Sequence, residues 1–244
     1  MTEIEGRQPV LELLRSGHEI KKILVAKGQR QGSIREIIAL AAQQGVVVEE
    51  VNRRFLDKIS QTHNHQGVIA QIADIEYYEL DELLEQEYDP QWPPFYVLLD
   101  GVQDPHNLGS VLRSGEAARI HGVIIPKRRA VGLTPTVFKS SAGAASYVPV
   151  CRVTNIASTI DRLKESGVWV IGADMDGEVC YEQDLTGPAA LVIGGEGQGL
   201  SRLVKEKCDL LSSIPMQGSI NSLNAAVAGA LLMFEIVRQR VQSR

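Results

Sequence analysis

The segment Leu191-Val-Ile-Gly-Gly-Glu-Gly-Gln-Gly-Leu200 decides the fold. A short apolar run, residues 189–193, stops at four glycines among the six residues 194–199, and an amphipathic run resumes as Leu200-Ser-Arg-Leu-Val-Lys-Glu-Lys207. That is the pattern of a buried strand, a turn stripped of side chains and a helix. Glycines crowded in this way let a small ligand lie directly on main-chain amides that side chains would otherwise block. A second segment, Ile214-Pro-Met-Gln-Gly-Ser-Ile-Asn-Ser-Leu-Asn-Ala-Ala-Val-Ala-Gly-Ala230, lies in the same C-terminal stretch and runs into the last helix.

The glycine turn limits the ligand. Gly194 and Gly199 have the spacing of a phosphate-cradling loop, but Leu200-Ser201 follow where that loop needs a lysine. The dinucleotide pattern fails as well, because Gly195-x-Gly197 is followed three residues later by Leu200. The turn carries an acid, Glu196, which would repel a triphosphate. An acid without a cation suits a ligand that is neutral or positive, and S-adenosylmethionine, with its sulfonium and ammonium groups, is one.

A chain of 244 residues accommodates two modest domains or one large one. It has no apolar run long enough for a membrane span, and its acidic, polar start is unlike a secretory signal. Cys151, Cys180 and Cys208 are far apart and odd in number, which indicates reduced cytoplasmic thiols and neither a disulfide framework nor a metal site. The net charge of −5 is unevenly placed. Residues 1–70 hold 10 Lys/Arg against 8 Asp/Glu, residues 71–95 hold none against 8, and residues 96–244 hold 15 against 14. All the net acidity sits in one short segment, so the overall sign does not exclude a nucleic-acid partner.

Periodicity predicts a small α/β unit over residues 1–73: a helix at 4–17, strands at 20–26, 46–51 and 67–73, and helices at 33–44 and 53–60. The acidic run and Pro90, Pro93 and Pro94 make residues 74–94 a hinge-like linker. Residues 95–244 alternate buried strands (96–99, 122–126, 147–150, 168–173, 189–193, 210–214) with helices (108–120, 135–144, 155–166, 200–208, 223–242). Such alternation argues for a parallel sheet covered on both faces, with ligands at the carboxyl ends of its strands. In the first unit, Arg53-Arg54 either meet phosphates or form a solvated helix start. The loop Thr62-His-Asn-His-Gln-Gly67 places His63, His65 and Gln66 where they can read base edges of unpaired RNA. In the second, Lys127-Arg128-Arg129 either contact phosphate or form a solvated loop.

Three ordered motifs, Asp104-Pro-His-Asn-Leu-Gly-Ser-Val-Leu-Arg-Ser114, Gly194-Gly-Glu-Gly-Gln-Gly199 and Ile214-Pro-Met…Ser222-Leu-Asn224, resemble those of the SpoU/TrmH (SPOUT) family of RNA ribose 2′-O-methyltransferases. The resemblance covers residues 96–240 and extends to the family's rRNA branch through the small N-terminal domain. It implies an S-adenosylmethionine-dependent enzyme acting on a guanosine ribose in the peptidyl-transferase region of 23S rRNA. It further implies a deep trefoil knot, a ribosomal-protein-L30-like N-terminal domain and a homodimer. Matched residue by residue, Asn107, Arg113, Glu196, Ser222 and Asn224 take the catalytic positions. Gly194, Gly195, Gly199, Ile214, Met216, Ser222 and Leu223 take the cofactor positions. Asn107 is alternatively a helix cap, and Ser222 and Asn224 cap the last helix on the structural reading. Two other functions stay open: the same reaction on tRNA, and a non-catalytic RNA-binding protein of this fold.

Overall fold

The computed structural model describes residues 2–73, 75–219 and 222–243. In chain order its elements begin with β1 (Thr2–Glu5), α1 (Arg7–Arg15), β2 (Ile20–Ala26), α2 (Ser33–Gln43), β3 (Val47–Val51), α3 (Arg53–Ile59) and β4 (Val68–Ile72). There follow α4 (Leu80–Leu84), β5 (Phe95–Asp100), α5 (Pro105–Ala117), β6 (Gly122–Pro126) and α6 (Pro135–Ser140). The last are β7 (Val150–Val153), α7 (Ile156–Glu165), β8 (Trp169–Val179), β9 (Ala189–Gly194), α8 (Arg202–Lys207), β10 (Leu210–Ser213) and α9 (Ala225–Gln242). The chain divides into two compact units, 1–76 with 133–147, and 77–132 with 148–244.

The first unit is built on a four-stranded sheet of order β1-β4-β2-β3, in which β2 and β3 are parallel and the other pairs antiparallel. The helix expected over 4–17 is shorter, because Thr2–Glu5 form an edge strand and Gly6, at φ +101°, turns the chain into α1. Hydropathy hid this strand, since its last residue is a fully buried acid. Glu5 accepts hydrogen bonds from Ser60 Oγ (2.7 Å), from the amides of Gln61 (2.5 Å) and Thr62, and from the Thr62 hydroxyl. Burial pushes its pKa up, but the hydrogen bonds from Thr62, Ser60 and Gln61 outweigh that and leave it below the ordinary carboxylate value.

The segment 133–147 belongs to this unit and not to the C-terminal domain to which the sequence pattern assigned it. Lys139 Nζ donates to Thr62 Oγ1 (2.8 Å) and to Asn64 O (3.0 Å), and the Tyr147 hydroxyl donates to Glu12 Oε2 (2.6 Å). Gly143, at φ +93°, lies so close to α1 that a Cβ there would come within 2.6 Å of Glu12 Cβ.

The second unit carries six parallel strands in the order β10-β8-β9-β5-β6-β7. Every residue of β9 is buried, as are the first five of β5, which accounts for their unbroken apolar sequences. Strand side chains alternate between faces. Tyr96, Leu98, Val170, Ala190 and Val192 pack with Leu80 and Leu83 of α4, Ile160 and Leu163 of α7, and Val204 of α8. On the opposite face α9 presses against β9, where a Cβ on Gly229 would meet Ile193 Cδ1 at 2.3 Å. β7 begins three residues later than expected, because residues 144–146 form a 3-10 turn.

The stretch expected to be a free linker is largely part of this unit. Tyr78 bridges to Cys151, α4 buries Leu80 and Leu83, and Trp92 Nε1 donates to Arg119 O (2.9 Å). The carbonyls of Pro93 and Pro94 accept from the buried guanidinium of Arg240, which also donates to Gly187 O. Burial lowers the Arg240 pKa to about 10. The short helix that Leu80, Leu83 and Leu84 permit within the acidic stretch forms as α4, and its leucines pack inward instead of leaving the stretch as a hinge.

Glu5 gives the first unit a pH dependence. Its folded-state pKa is depressed, so its stabilisation is complete above the unfolded value of about 4.3 and is lost as pH falls through the folded one. Glu5→Gln should flatten the acid limb of a denaturation-midpoint series below about pH 4.3. Glu5→Ala, which strands the buried donors, should cost roughly 2–4 kcal/mol at neutral pH in urea titrations.

Candidate functional site

The strand order reverses between β5 and β9: from β5 the chain proceeds outward to β6 and β7, then returns to the other side. A crevice opens at the carboxyl ends of strands at such a switch point. Here the two loops leaving β5 and β9 are locked together. Gly195 N–H donates to Asp100 O (2.8 Å), Ser201 N–H donates to Asp100 Oδ2 (2.7 Å), and Gly199 N–H donates to Gly195 O (3.0 Å).

This geometry corrects the reason given for the glycines. A Cβ on Gly194 would lie 2.2 Å from the carbonyl carbon of Gly199, and one on Gly195 would lie 2.6 Å from Gly101 O. Gly197 and Gly199 adopt φ of +82° and +63°. The turn is bare so that the chain can approach itself, and the amides of Gly195 and Gly199 are already used by the main chain.

From this platform three motifs converge. Glu196 Oε1 accepts from Asn224 Nδ2 (2.6 Å) and from Asn107 Nδ2 (3.2 Å), and Asn224 Nδ2 also donates to Asn107 Oδ1 (2.9 Å). Asn107 is buried inside α5, whose cap is Asp104 accepting from His106 N–H, so the capping role considered for Asn107 falls to Asp104. Asn224 does both jobs, because its Oδ1 accepts from the amides of Ala226 and Val227 and caps α9. Ser222 lies exposed two residues before the cap.

A cavity of about 1000 Å³ opens beside this cluster. Its walls have two electrostatic sides: Asp100, Asp104 and Glu196 come from the β5 and β9 loops, and Arg128, Arg129 and Arg202 from the β6 loop and α8. Gly195, Gly199 and Asn107 line it, whereas Gly194, Ile214, Met216, Ser222 and Leu223 are not among the residues that do. Met216 and Leu223 are over a third exposed. Arg113 is exposed on α5 and does not line the cavity of its own chain. Lys127 is exposed after β6, beyond the lining. Arg129, from the loop expected to contact phosphate, lines the wall together with Arg128, whereas sequence reasoning missed Asp100, Asp104 and Arg202 as wall residues; Asp100 at the end of β5 was the clearest available signal.

In the first unit, Arg53 and His63 are exposed. His65 is 3% exposed: its Nδ1 accepts from Gly67 N–H (2.9 Å), so Nε2 carries the proton and donates to Asp57 Oδ1 (2.9 Å). With both ring nitrogens engaged it shapes the loop and does not offer itself to a base, contrary to expectation. Gln66, at φ +53°, accepts from Arg7 N–H through Oε1 and so satisfies the start of α1. Among the described residues no group of three or more His, Cys, Asp or Glu is placed to hold a metal ion, and no helix is long and apolar enough to cross a membrane. Burial pushes the Cys151 and Cys208 thiols up to about 11.

The description "SpoU rRNA Methylase family" matches residues 94–234, and "RNA 2′-O ribose methyltransferase substrate binding" matches residues 4–78. The chain belongs to the SpoU rRNA methylase family. As a SpoU chain it is 47% identical over 236 residues to YacO of Bacillus subtilis (strain 168), provisionally named a TrmH family tRNA/rRNA methyltransferase, covering 96% of this chain and 94% of that one. Its fold is similar to that of the SpoU methyltransferase AviRb from Streptomyces viridochromogenes, solved in complex with AdoMet (TM-score 0.82, 27% identity, 98% of this chain and 90% of that one). It is also similar to an AdoMet-bound rRNA methyltransferase from Sinorhizobium meliloti (TM-score 0.78, 27% identity, 97% and 87%).

Two substitutions separate the roles of the turn and the cap. Gly194→Ala should destabilise by roughly 1–3 kcal/mol, because main chain must move to admit the methyl group. Asn224→Ala should cost about 1 kcal/mol through loss of the cap, while Asn224→Asp keeps a capping oxygen but sets a carboxylate against Glu196, so that it should regain stability as the pH is lowered and Asn224→Ala should not. Thermal denaturation of the three variants checks both statements.

Proposed function

We propose that this SpoU chain transfers a methyl group from S-adenosylmethionine to the ribose 2′-hydroxyl of a guanosine in the peptidyl-transferase region of 23S rRNA, an RlmB-like activity. The observation that carries this reading is the hydrogen-bonded meeting of Asn107, Glu196 and Asn224, one from each motif, at the sheet's switch point. Cations at Arg128, Arg129 and Arg202 suit RNA phosphates, and acids at Asp100, Asp104 and Glu196 suit a sulfonium. The AdoMet complexes of two similar structures support the same cofactor. The residues present fit it: Met216 and Leu223 offer accessible apolar surface for an adenosine, and Gly194, Gly195, Gly199, Ile214 and Ser222 offer compact main chain and a hydroxyl.

When bound, S-adenosylmethionine supplies an electrophilic methyl group. The protein's part is to hold the ribose in line and to favour charge on its 2′-oxygen. A guanidinium with a pKa of roughly 12.5–13.8 is a poor base. In this reading Arg113 clamps an RNA phosphate and stabilises the developing oxyanion. Its exposure outside its own cavity supports a homodimer in which it serves the partner's site. Along α9, which packs beside α5, Val227, Leu231 and Phe234 form an exposed apolar stripe at helical spacing. Glu196 binds the three motifs together. The family's trefoil knot in the C-terminal segment, an L30-like first unit and a cytoplasmic location belong to the same reading.

An rRNA substrate is favoured because the substrate-binding match spans residues 4–78 and the likeness to the Sinorhizobium rRNA enzyme runs over 97% of this chain. The name of the Bacillus relative keeps tRNA as the second reading. Complete motifs argue against a purely RNA-binding role.

Radiolabelled methyl transfer to unmodified 23S rRNA and to tRNA, followed by mapping of 2′-O-methyl sites, should label one guanosine in 23S rRNA. Label on tRNA alone would transfer the reading to tRNA, and label on neither would end it. Arg113→Lys should lose about 10²–10³-fold in rate. Asn224→Asp, which keeps the cap but sets a second negative charge against Glu196, should fall by a similar factor.

A further inference from the structure

α3 places an aromatic ring in solvent among unpaired cations. The helix is fixed by Leu56, fully buried against Leu24, Ala26 and Ile69, with Ile59 partly buried beside them. Asn52 caps it by accepting from Arg54 N–H (3.0 Å). With Leu56 and Ile59 inward, the spacing turns Arg54 and Lys58 to the outer face and leaves Phe55 on the flank of the helix, 48% exposed.

The charges there are predominantly positive. Among the described residues Arg53, Arg54, Lys58 and Lys27 make no ion pair, although all are exposed. Lys27 joins this group because its amide donates to Val51 O (2.9 Å), at the end of β3 just before α3. Of the nearby acids, Glu50 pairs with Arg30, and Asp57, the one acid of α3, accepts from the neutral ring of His65 and keeps its charge. An exposed phenyl ring framed by unpaired cations complements one ligand chemistry, an unpaired nucleobase flanked by its phosphates. A duplex, whose bases are already stacked, offers it no base face.

We propose that Phe55 is a base-stacking platform for an unpaired nucleotide of the RNA substrate, with Arg54 and Lys58 contacting the adjoining phosphates. The proposal rests on the RNA-methylation reading and names the surface by which the first unit holds its substrate. Base–aromatic stacking of this kind is worth roughly 5- to 100-fold in affinity.

The test compares full-length wild type, Phe55→Leu and Phe55→Trp for binding to an unmodified 23S rRNA transcript, a short single-stranded RNA and the same RNA as a duplex. Phe55→Leu keeps an apolar side chain of similar size without a π face. It should bind both the transcript and the single strand roughly 5- to 100-fold more weakly, with the loss appearing in KM for RNA. Phe55→Trp should retain affinity and show a fluorescence change on single-strand binding that the wild type, with only Trp92 and Trp169, lacks. Arg54→Gln should reduce the salt dependence of binding. Wild-type affinity of Phe55→Leu, or an equal loss on duplex and single strand, overturns the platform while leaving methyl transfer intact. Phe55-dependent single-strand binding without methylation of any RNA overturns the enzymatic reading and leaves the platform standing.

Discussion

The second unit depends on how closely its own main chain can approach itself where β9 leaves the sheet. Gly194 and Gly195 admit the strands of the turn and the end of β5 at distances that a single methyl group would prevent. Because of that contact Asp100 can accept from both Gly195 and Ser201, and the loops after β5 and β9 become one rigid rim. Glu196 then projects from a fixed base, and the two asparagines meet it from α5 and from the cap of α9. Much of the chemistry is therefore secured by a backbone constraint, and the side chains exploit it.

The parallel sheet was legible because its central strands are buried on both faces and read as unbroken apolar runs, as in β5, β6 and β9. What was not legible shares one cause: polar residues with inward roles. Glu5 ends an edge strand while fully buried, the acidic stretch around α4 is docked on the sheet where a hinge was expected, and Arg240 supports two proline carbonyls from the far end of the chain. Composition averages over such residues, whereas their partners, far away in sequence, determine where they go.

For the candidate site, the resemblance of the three motifs to a known family pointed to Asn107, Glu196 and Asn224, and the fold brings these three together. The crowding of the glycines suggested a bare surface for a ligand, whereas Gly194 and Gly195 are bare toward their own chain, a distinction that a sequence cannot show. It also could not distinguish the two histidines of one loop. His63 stands in solvent and His65 is locked between Gly67 and Asp57, a difference made by tertiary hydrogen bonds alone.

The segment 133–147 has a consequence for modularity. The polypeptide leaves the first unit, builds β5, α5 and β6, and returns to supply Lys139 and Tyr147 before resuming the sheet. The substrate-binding half is thus not a detachable cassette. Exchanging only the N-terminal residues would part the Thr62 loop from the Lys139 that steadies it in this chain, so a transplanted half has to bring two separated stretches to keep its own contacts.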